Sequence, residues 1–228
     1  MNEEERIHLN KKYYFLPSNT VDKKSLLIVM STHNQKDRYF FFKKIKELNY
    51  RSADVIFVTD PNNSYYLEKD MGETYLNFFE FILNGYENSS VSFFGSSMSG
   101  FAALFYSIRL GCSAIVNNPQ VDLRESLDHA WPDLKHTLSN VCSLDLNIIS
   151  HEQILGSCFV VSGKHPMDSM NRKKLDVSSS LFNTYISKTV NDVSHGFYFN
   201  NCEDIFIIHQ LIQRFNEMKL TKIDKVKY

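Results

Sequence analysis

The chain is poor in the residues that break or staple a fold. Its 228 residues include only 5 prolines and 8 glycines, and 43% of the side chains are hydrophobic. That balance excludes a disordered or low-complexity chain. Cysteine is as sparse: Cys112, Cys142, Cys158 and Cys202 are widely spaced and form no Cys-x-x-Cys pair. They are expected to be reduced thiols of a cytosolic protein, not a disulfide framework or a zinc knuckle. Charge of one sign is missing too. With 25 basic and 26 acidic side chains the net charge is -1, which argues against a global electrostatic grip on nucleic acid. Long apolar runs are absent: the longest aliphatic one, Leu26 to Met30, covers a strand and not a bilayer. The start, Met1 to Arg6, is acidic where a secretory signal begins with basic residues. The expectation is a soluble, cytoplasmic protein without a membrane span.

The phosphate-cradling and zinc motifs are missing as well: no Gly-x-x-x-x-Gly-Lys-[Ser/Thr], no Gly-x-Gly-x-x-Gly and no His-Glu-x-x-His. His129 and His136 stand seven apart on an expected helix with no third ligand in obvious reach, so neither a metal site nor a bound cofactor is expected.

What is present is a regular alternation. Leu26–Met30, Val55–Val58, Val91–Phe94, Ala114–Val116 and Cys158–Val161 are short apolar runs of the kind buried on both faces of a parallel sheet. Helical patterns fall near Asp37–Leu48, Gly72–Leu83, Gly100–Leu110, Leu123–Cys142 and Cys202–Met218. Strands alternating with helices predict an α/β fold, a three-layer α/β/α sandwich around a mostly parallel sheet. The aromatic stretch Lys12–Leu16 reads as an added antiparallel edge strand. The length suits one domain over residues 1–228. The alternation stalls at 122–156, which holds the only tryptophan, Trp131. That stretch reads either as a small helical insertion over one end of the sheet or as an ordinary connecting helix and loop. The lysine-rich tail after Met218 reads as solvated and is given no role.

The strongest chemical signal is Val91-Ser92-Phe93-Phe94-Gly95-Ser96-Ser97-Met98-Ser99-Gly100-Phe101. A buried strand meets a turn of small residues and a helix begins at once, the setting of a nucleophile elbow. Small residues flank such a serine because strand and helix pass too closely for side chains. In that frame Gly95 leads, Ser97 is the nucleophile, and Ser99 stands where glycine is usual. Ser99 as nucleophile would place Phe101 at a position that must be small, so Ser97 is preferred.

A serine hydroxyl needs a base, and the base needs an orienting carboxylate. In chain order the acid comes next and the histidine last. Asp168 follows the strand Cys158–Val161, and His195 precedes Gly196 ahead of the final helix. The separation leaves room for one helix and one strand. Asp176 and Asp192 stand behind Asp168. His165, in the loop of Asp168, is either a substrate contact or simply exposed, while His209 at mid-helix reads as structural, and His129, His136 and His151 belong to the 122–156 segment. The oxyanion hole is expected to combine the Met98 N–H with that of Thr32 or His33, in the loop after the first long strand. The loop carrying Asn63, Tyr65 and Tyr66 emerges at the same sheet edge. Its tyrosines either stack on a sugar or pack against the sheet, and both remain open.

With those residues in place, the chain resembles α/β-hydrolase-fold serine enzymes, and more narrowly the small bacterial capsule and surface-polysaccharide O-acetyltransferases and related esterases. The stretches that carry the resemblance are Ser31–His33, Asp60–Leu67, Gly95–Gly100 with the following Ala-Ala-Leu, Asn117-Asn118-Pro119-Gln120, Gly163–Asp168 and His195-Gly196. The resemblance implies a Ser-His-Asp enzyme that moves an acyl group, with acetyl-CoA as donor substrate and a carbohydrate hydroxyl as acceptor. Plain esterases and deacetylases would use the same residues. A catalytically silent relative would instead serve as a binding partner in polysaccharide or secretion machinery. An oligomer is compatible with all three.

Overall fold

Apolar runs become interior strands because each residue finds a covered face on one side of the sheet or the other. In the computed structural model, which describes residues 3–20, 24–141, 144–146 and 156–220, eight strands form one sheet in the order β1-β2-β4-β3-β5-β6-β7-β8. The strands are β1 (Glu4–His8), β2 (Lys11–Leu16), β3 (Leu26–Met30), β4 (Asp54–Val58), β5 (Val91–Ser96), β6 (Ser113–Asn117), β7 (Cys158–Ser162) and β8 (Tyr185–Thr189). From β4 through β8 all neighbours are parallel, whereas β2 runs antiparallel to β4 and β1 antiparallel to β2. Along β3 the side chains split by the period of two. Leu26, Ile28 and Met30 enter one core and Leu27 and Val29 the other.

Helices α1 (Phe42–Lys46) and α7 (Cys202–Leu220) cover one face, sharing a core with Phe57, Phe94 and Ile115. Helices α2 (Glu73–Leu83), α3 (Met98–Leu110), α4 (Leu123–His129), α5 (Pro132–Ser139) and α6 (Pro166–Val177) contribute to the other core. This is the three-layer sandwich the alternation predicts. Among the described residues no helix is long and apolar enough to cross a membrane.

Four details differ from the expectation. The aromatic strand β2 is not the edge, because β1 pairs outside it through the two-residue turn Leu9-Asn10, both left-handed (φ 47° and 59°). A turn of that geometry usually advertises itself with glycine, and here it does not. Strand β8 fills the interval left for one strand between Asp168 and His195 but shows no apolar run; as an exposed edge strand it carries little apolar pattern. The helix expected over Asp37–Leu48 shrinks to α1. Ser31 Oγ donates to Arg38 O (2.7 Å) and accepts from Phe40 N (3.1 Å), taking backbone groups a helix would need. Finally, Leu123–Cys142 is two helices and not one. They break at Ala130-Trp131, and Pro132 opens α5 at its first turn, where the missing N–H costs nothing. His129 and His136 therefore sit on different helices. Cys142 and His151 lie outside the described residues, as does much of 122–156; Cys112, Cys158 and Cys202 are buried and free.

Candidate active site

Strand β5 delivers Ser97 to the carboxyl edge of the sheet in a conformation few residues adopt, φ 52° and ψ -115°. Such a backbone costs about 1–3 kcal/mol and persists only when its surroundings over-determine it. The surroundings are tight. A Cβ on Gly95 would stand 2.8 Å from Gly100 N and nearer still to the Ser99 carbonyl. A Cβ on Gly100 would stand 2.9 Å from Pro119 Cα. Ser99, where glycine is usual, fits because its Cβ points into the turn. Its Oγ accepts from Ser96 N (2.9 Å) and donates to Ser96 O (3.1 Å), stitching the strand end to the helix start.

The three residues separated along the chain converge here. His195 Nε2 lies 2.9 Å from Ser97 Oγ, and His195 Nδ1 lies 2.6 Å from Asp168 Oδ1. Asp168 sits in the first turn of α6 and not in the loop before it, and it is buried. A carboxylate on Nδ1 holds the ring in the tautomer that leaves Nε2 free to accept the serine proton. Asp176 and Asp192 are engaged elsewhere: Asp176 bonds Arg172 and Tyr185, and Asp192 bonds Ser194. His209 is fully buried in α7 between Ser92 Oγ (2.8 Å) and Gln213 Nε2 (2.9 Å), the structural role expected of it; burial lowers its pKa to about 4.

The oxyanion-loop residues lie alongside. Met98 is the first residue of α3, so its N–H has no intrahelical carbonyl to meet. Thr32 Oγ1 donates to Ser96 O (2.7 Å), drawing the loop after β3 against the elbow. The His33 ring meets Thr137 Oγ1 at 2.8 Å, and Asn34 Nδ2 donates to Asp133 Oδ2 at 2.6 Å. Helix α5 is thus latched to this loop. Burial lowers the His33 pKa, with the Asp133 carboxylate partly opposing it.

The substrate-contact candidates fare unevenly. Tyr65 and Tyr66 are fully buried, so neither ring is open to stack on a sugar, and that expectation is corrected. The Tyr66 hydroxyl donates to Ser31 O (2.9 Å) and Val58 O (3.1 Å), and the Tyr65 hydroxyl to Gln120 Oε1. They brace three loops of the sheet edge. Asn63 is half-buried at its loop and pairs with Asn34: its Oδ1 accepts from Asn34 N (2.9 Å), and its Nδ2 donates to Asn34 Oδ1 (3.1 Å). It also borders a cleft of about 730 Å³ shared with Ser64, Lys69, His136, Thr137 and Asn140. Neither Ser97 nor His195 lines that cleft. His165 does reach the site. It caps α6, Nδ1 accepting from Met167 N (3.3 Å), and its ring centre lies 6.0 Å from that of His195.

Among the described residues, the group whose spacing would suit a metal is His165, Asp168 and His195, with one ligand atom of each within 4.8 Å of the others. Asp168 and His195 already bond each other, and the His165 Nδ1 serves the cap.

Two features with no role assigned from the sequence meet the His195 segment. Trp131, at the break between α4 and α5, brings its ring centre to 5.3 Å from that of His195, with 39% of the residue exposed. It forms a wall over the His195 ring, and nothing but its being a lone tryptophan marked it. The other is the pair Asn117-Asn118 at the end of β6, whose carboxamides bond the loop that carries His195.

No protein-family model matches the chain, and no curated protein matches it in sequence. Solved structures do. A capsule O-acetyltransferase of Neisseria meningitidis serogroup A superposes with a TM-score of 0.63 at 15% identity, covering 92% of this chain and 94% of that one. A structure of an H-to-A mutant of the same acetyltransferase in complex with CoA matches with a TM-score of 0.55 at 14% identity, over 95% and 93% of the two chains. A fluorophosphonate-binding serine hydrolase of Staphylococcus aureus matches with a TM-score of 0.59 at 14% identity, over 89% and 92%. At these identities the likeness is one of fold: the chain has an α/β-hydrolase-like fold along nearly its whole length.

Proposed function

We propose that this protein is a serine acyltransferase, most consistent with O-acetylation of a bacterial capsular or surface carbohydrate from acetyl-CoA. The observation that carries the reading is the Ser97–His195–Asp168 relay at 2.9 and 2.6 Å on a strained elbow.

His195 Nε2 takes the Ser97 proton as Oγ attacks the thioester carbonyl carbon. The Met98 N–H, with that of Thr32 or His33, holds the oxyanion. Collapse breaks the carbon–sulfur bond, and the imidazolium returns the proton to the thiolate, leaving acetyl-Ser97 and a free thiol. A sugar hydroxyl then gives its proton to His195 and attacks the acetyl carbonyl; as the bond to Ser97 Oγ breaks, the imidazolium returns that proton to Oγ and the acetylated sugar leaves. Asp168 keeps its charge throughout and stabilises the imidazolium. Water competes with the sugar in the second half, so transfer needs a sheltered base. Trp131 over His195 and the α5 latch supply such cover. The likeness to an acetyltransferase whose mutant has been solved with CoA supports the donor.

The test is mass spectrometry after mixing with acetyl-CoA. An acetyl group is expected on the Ser97 peptide of the parent and not of Ser97→Ala, with transfer to added glycans. Asp168→Asn should slow acylation by about 10⁴-fold, the loss seen when a triad carboxylate is amidated. The likeness to a staphylococcal serine hydrolase favours a second reading, an esterase or carbohydrate deacetylase with the same residues; free acetate without acetylated glycan would select it. No adduct and no fluorophosphonate labelling of Ser97 would leave a silent scaffold.

A further inference from the structure

His195 stands on an irregular segment, residues 190–201, that has no ladder or helix to hold it. Yet its ring must keep two hydrogen bonds at once, to groups carried by the turn after β5 and by the first turn of α6. Backbone bonds hold its start, Val190 N donating to Ser162 O (2.8 Å) and Lys164 N to Asp192 O (2.5 Å), and two side chains hold the stretch at His195. Asn117 Nδ2 donates to Gly196 O (3.1 Å) and to Ser96 Oγ (3.0 Å), while its Oδ1 accepts from Tyr198 N (2.9 Å). Asn118 Nδ2 donates to the same Gly196 O (2.7 Å), and its Oδ1 accepts from Gly163 N (2.8 Å). Both residues are buried, and Asn118 is held at φ 41°, a left-handed conformation that asparagine tolerates better than most residues.

We infer that Asn117 and Asn118 are positioning residues of the triad: one pair of carboxamides fastens the base-bearing segment, through the carbonyl next to His195, to the strand end before the nucleophile and to the loop before the acid. The donor and acceptor of a carboxamide are what the place requires. Gly196 O needs a donor, Gly163 N and Tyr198 N need acceptors, and one planar amide offers both at fixed separation. The backbone of β6 is itself fixed next to the elbow, since Ser97 N donates to Asn117 O (2.9 Å) and Asn118 N donates to Val161 O (2.8 Å). Nucleophile, acid and base are therefore all referred to one dipeptide. The inference rests on the triad geometry and not on which acyl group moves.

Asn118→Gly tests it, because glycine accepts the left-handed backbone while both side-chain bonds vanish. The assays are acetyl release from p-nitrophenyl acetate and the low-field proton resonance of His195 Nδ1–H bonded to Asp168. The expected result is a kcat about 10²-fold lower, the cost of about 1 Å of misplacement, with KM within about 2-fold, as expected when an interaction serves the transition state alone. The low-field signal should be lost or broadened. Asn118→Asp keeps the acceptor for Gly163 N and lacks the donor to Gly196 O; it should show the same loss, and it is read if the glycine variant does not fold. Parental kcat and an unchanged low-field signal in either folded variant would overturn the inference. The signal needs no substrate, so its loss in a chain without esterase activity would uphold the clasp while sinking the acyl-transfer reading.

Discussion

Replacing Gly95 by alanine asks whether the crowding around the elbow governs the chemistry. The added Cβ would face backbone only: Gly100 N at 2.8 Å, with the Ser99 carbonyl closer. No flexible side chain can swing aside. Ordinary contact begins near 3.4 Å, so the start of α3 must retreat from β5 by roughly 1 Å or the strand must bend. Either movement carries Met98 N–H and Ser97 Oγ away from His195. Overpacking of this kind costs about 1–3 kcal/mol. For a chain of this size that is a fall in melting temperature of roughly 3–10 °C. The kinetic effect should be larger, about 10²-fold in the rate of Ser97 labelling by a fluorophosphonate, because misplacing the reacting atoms by 1 Å costs that much. Labelling and calorimetry on the same preparation separate the two effects. A Gly95→Ala variant that labels at the parental rate and melts with the parent would show that crowding at this turn does not hold the serine.

Restoring the usual residue at position 99 should do harm. Ser99→Gly removes both bonds to Ser96 and loosens the helix start, a loss of about 1–2 kcal/mol visible in thermal melts, with labelling within a few-fold of the parent; a more stable variant would refute the stitching role. The buried His209 sets a pH dependence. Its folded pKa near 4 lies below the ordinary value of 6.5, so the unfolded chain takes up a proton that the folded one refuses. Its contribution is intact above about pH 6.5 and is lost as pH falls towards 4, by roughly 2 kcal/mol at pH 5. Urea titrations at pH 7 and pH 5 should show this, and His209→Gln should flatten it; an unchanged slope in that variant would refute the assignment.

Much of this protein is written in local pattern. The interior strands β3 to β7 are continuous apolar runs because both their faces are covered, so no register or partner need be known to find them. Ser97 is legible for a similar reason: a strained turn admits only small residues, and that demand leaves its mark in Gly95-Ser96-Ser97. Chain order then selects Asp168 and His195. Where solvent or distant backbone decides, the pattern is silent. Strands β1 and β8 lie at the sheet edges, where half the apolar demand disappears. The helix expected after β3 gives way because Ser31 takes two of its backbone groups. Tyr65 and Tyr66 could have faced a ligand as well as a core, and only packing against Gln120, Ser31 and Val58 turned them inward. Trp131 meets His195, and Asn117-Asn118 meet Gly196, across tens of residues of chain. Such contacts follow from the right-handed winding of helices about the sheet, which brings loops from separate βα units to one edge, and no local propensity encodes which of them will touch.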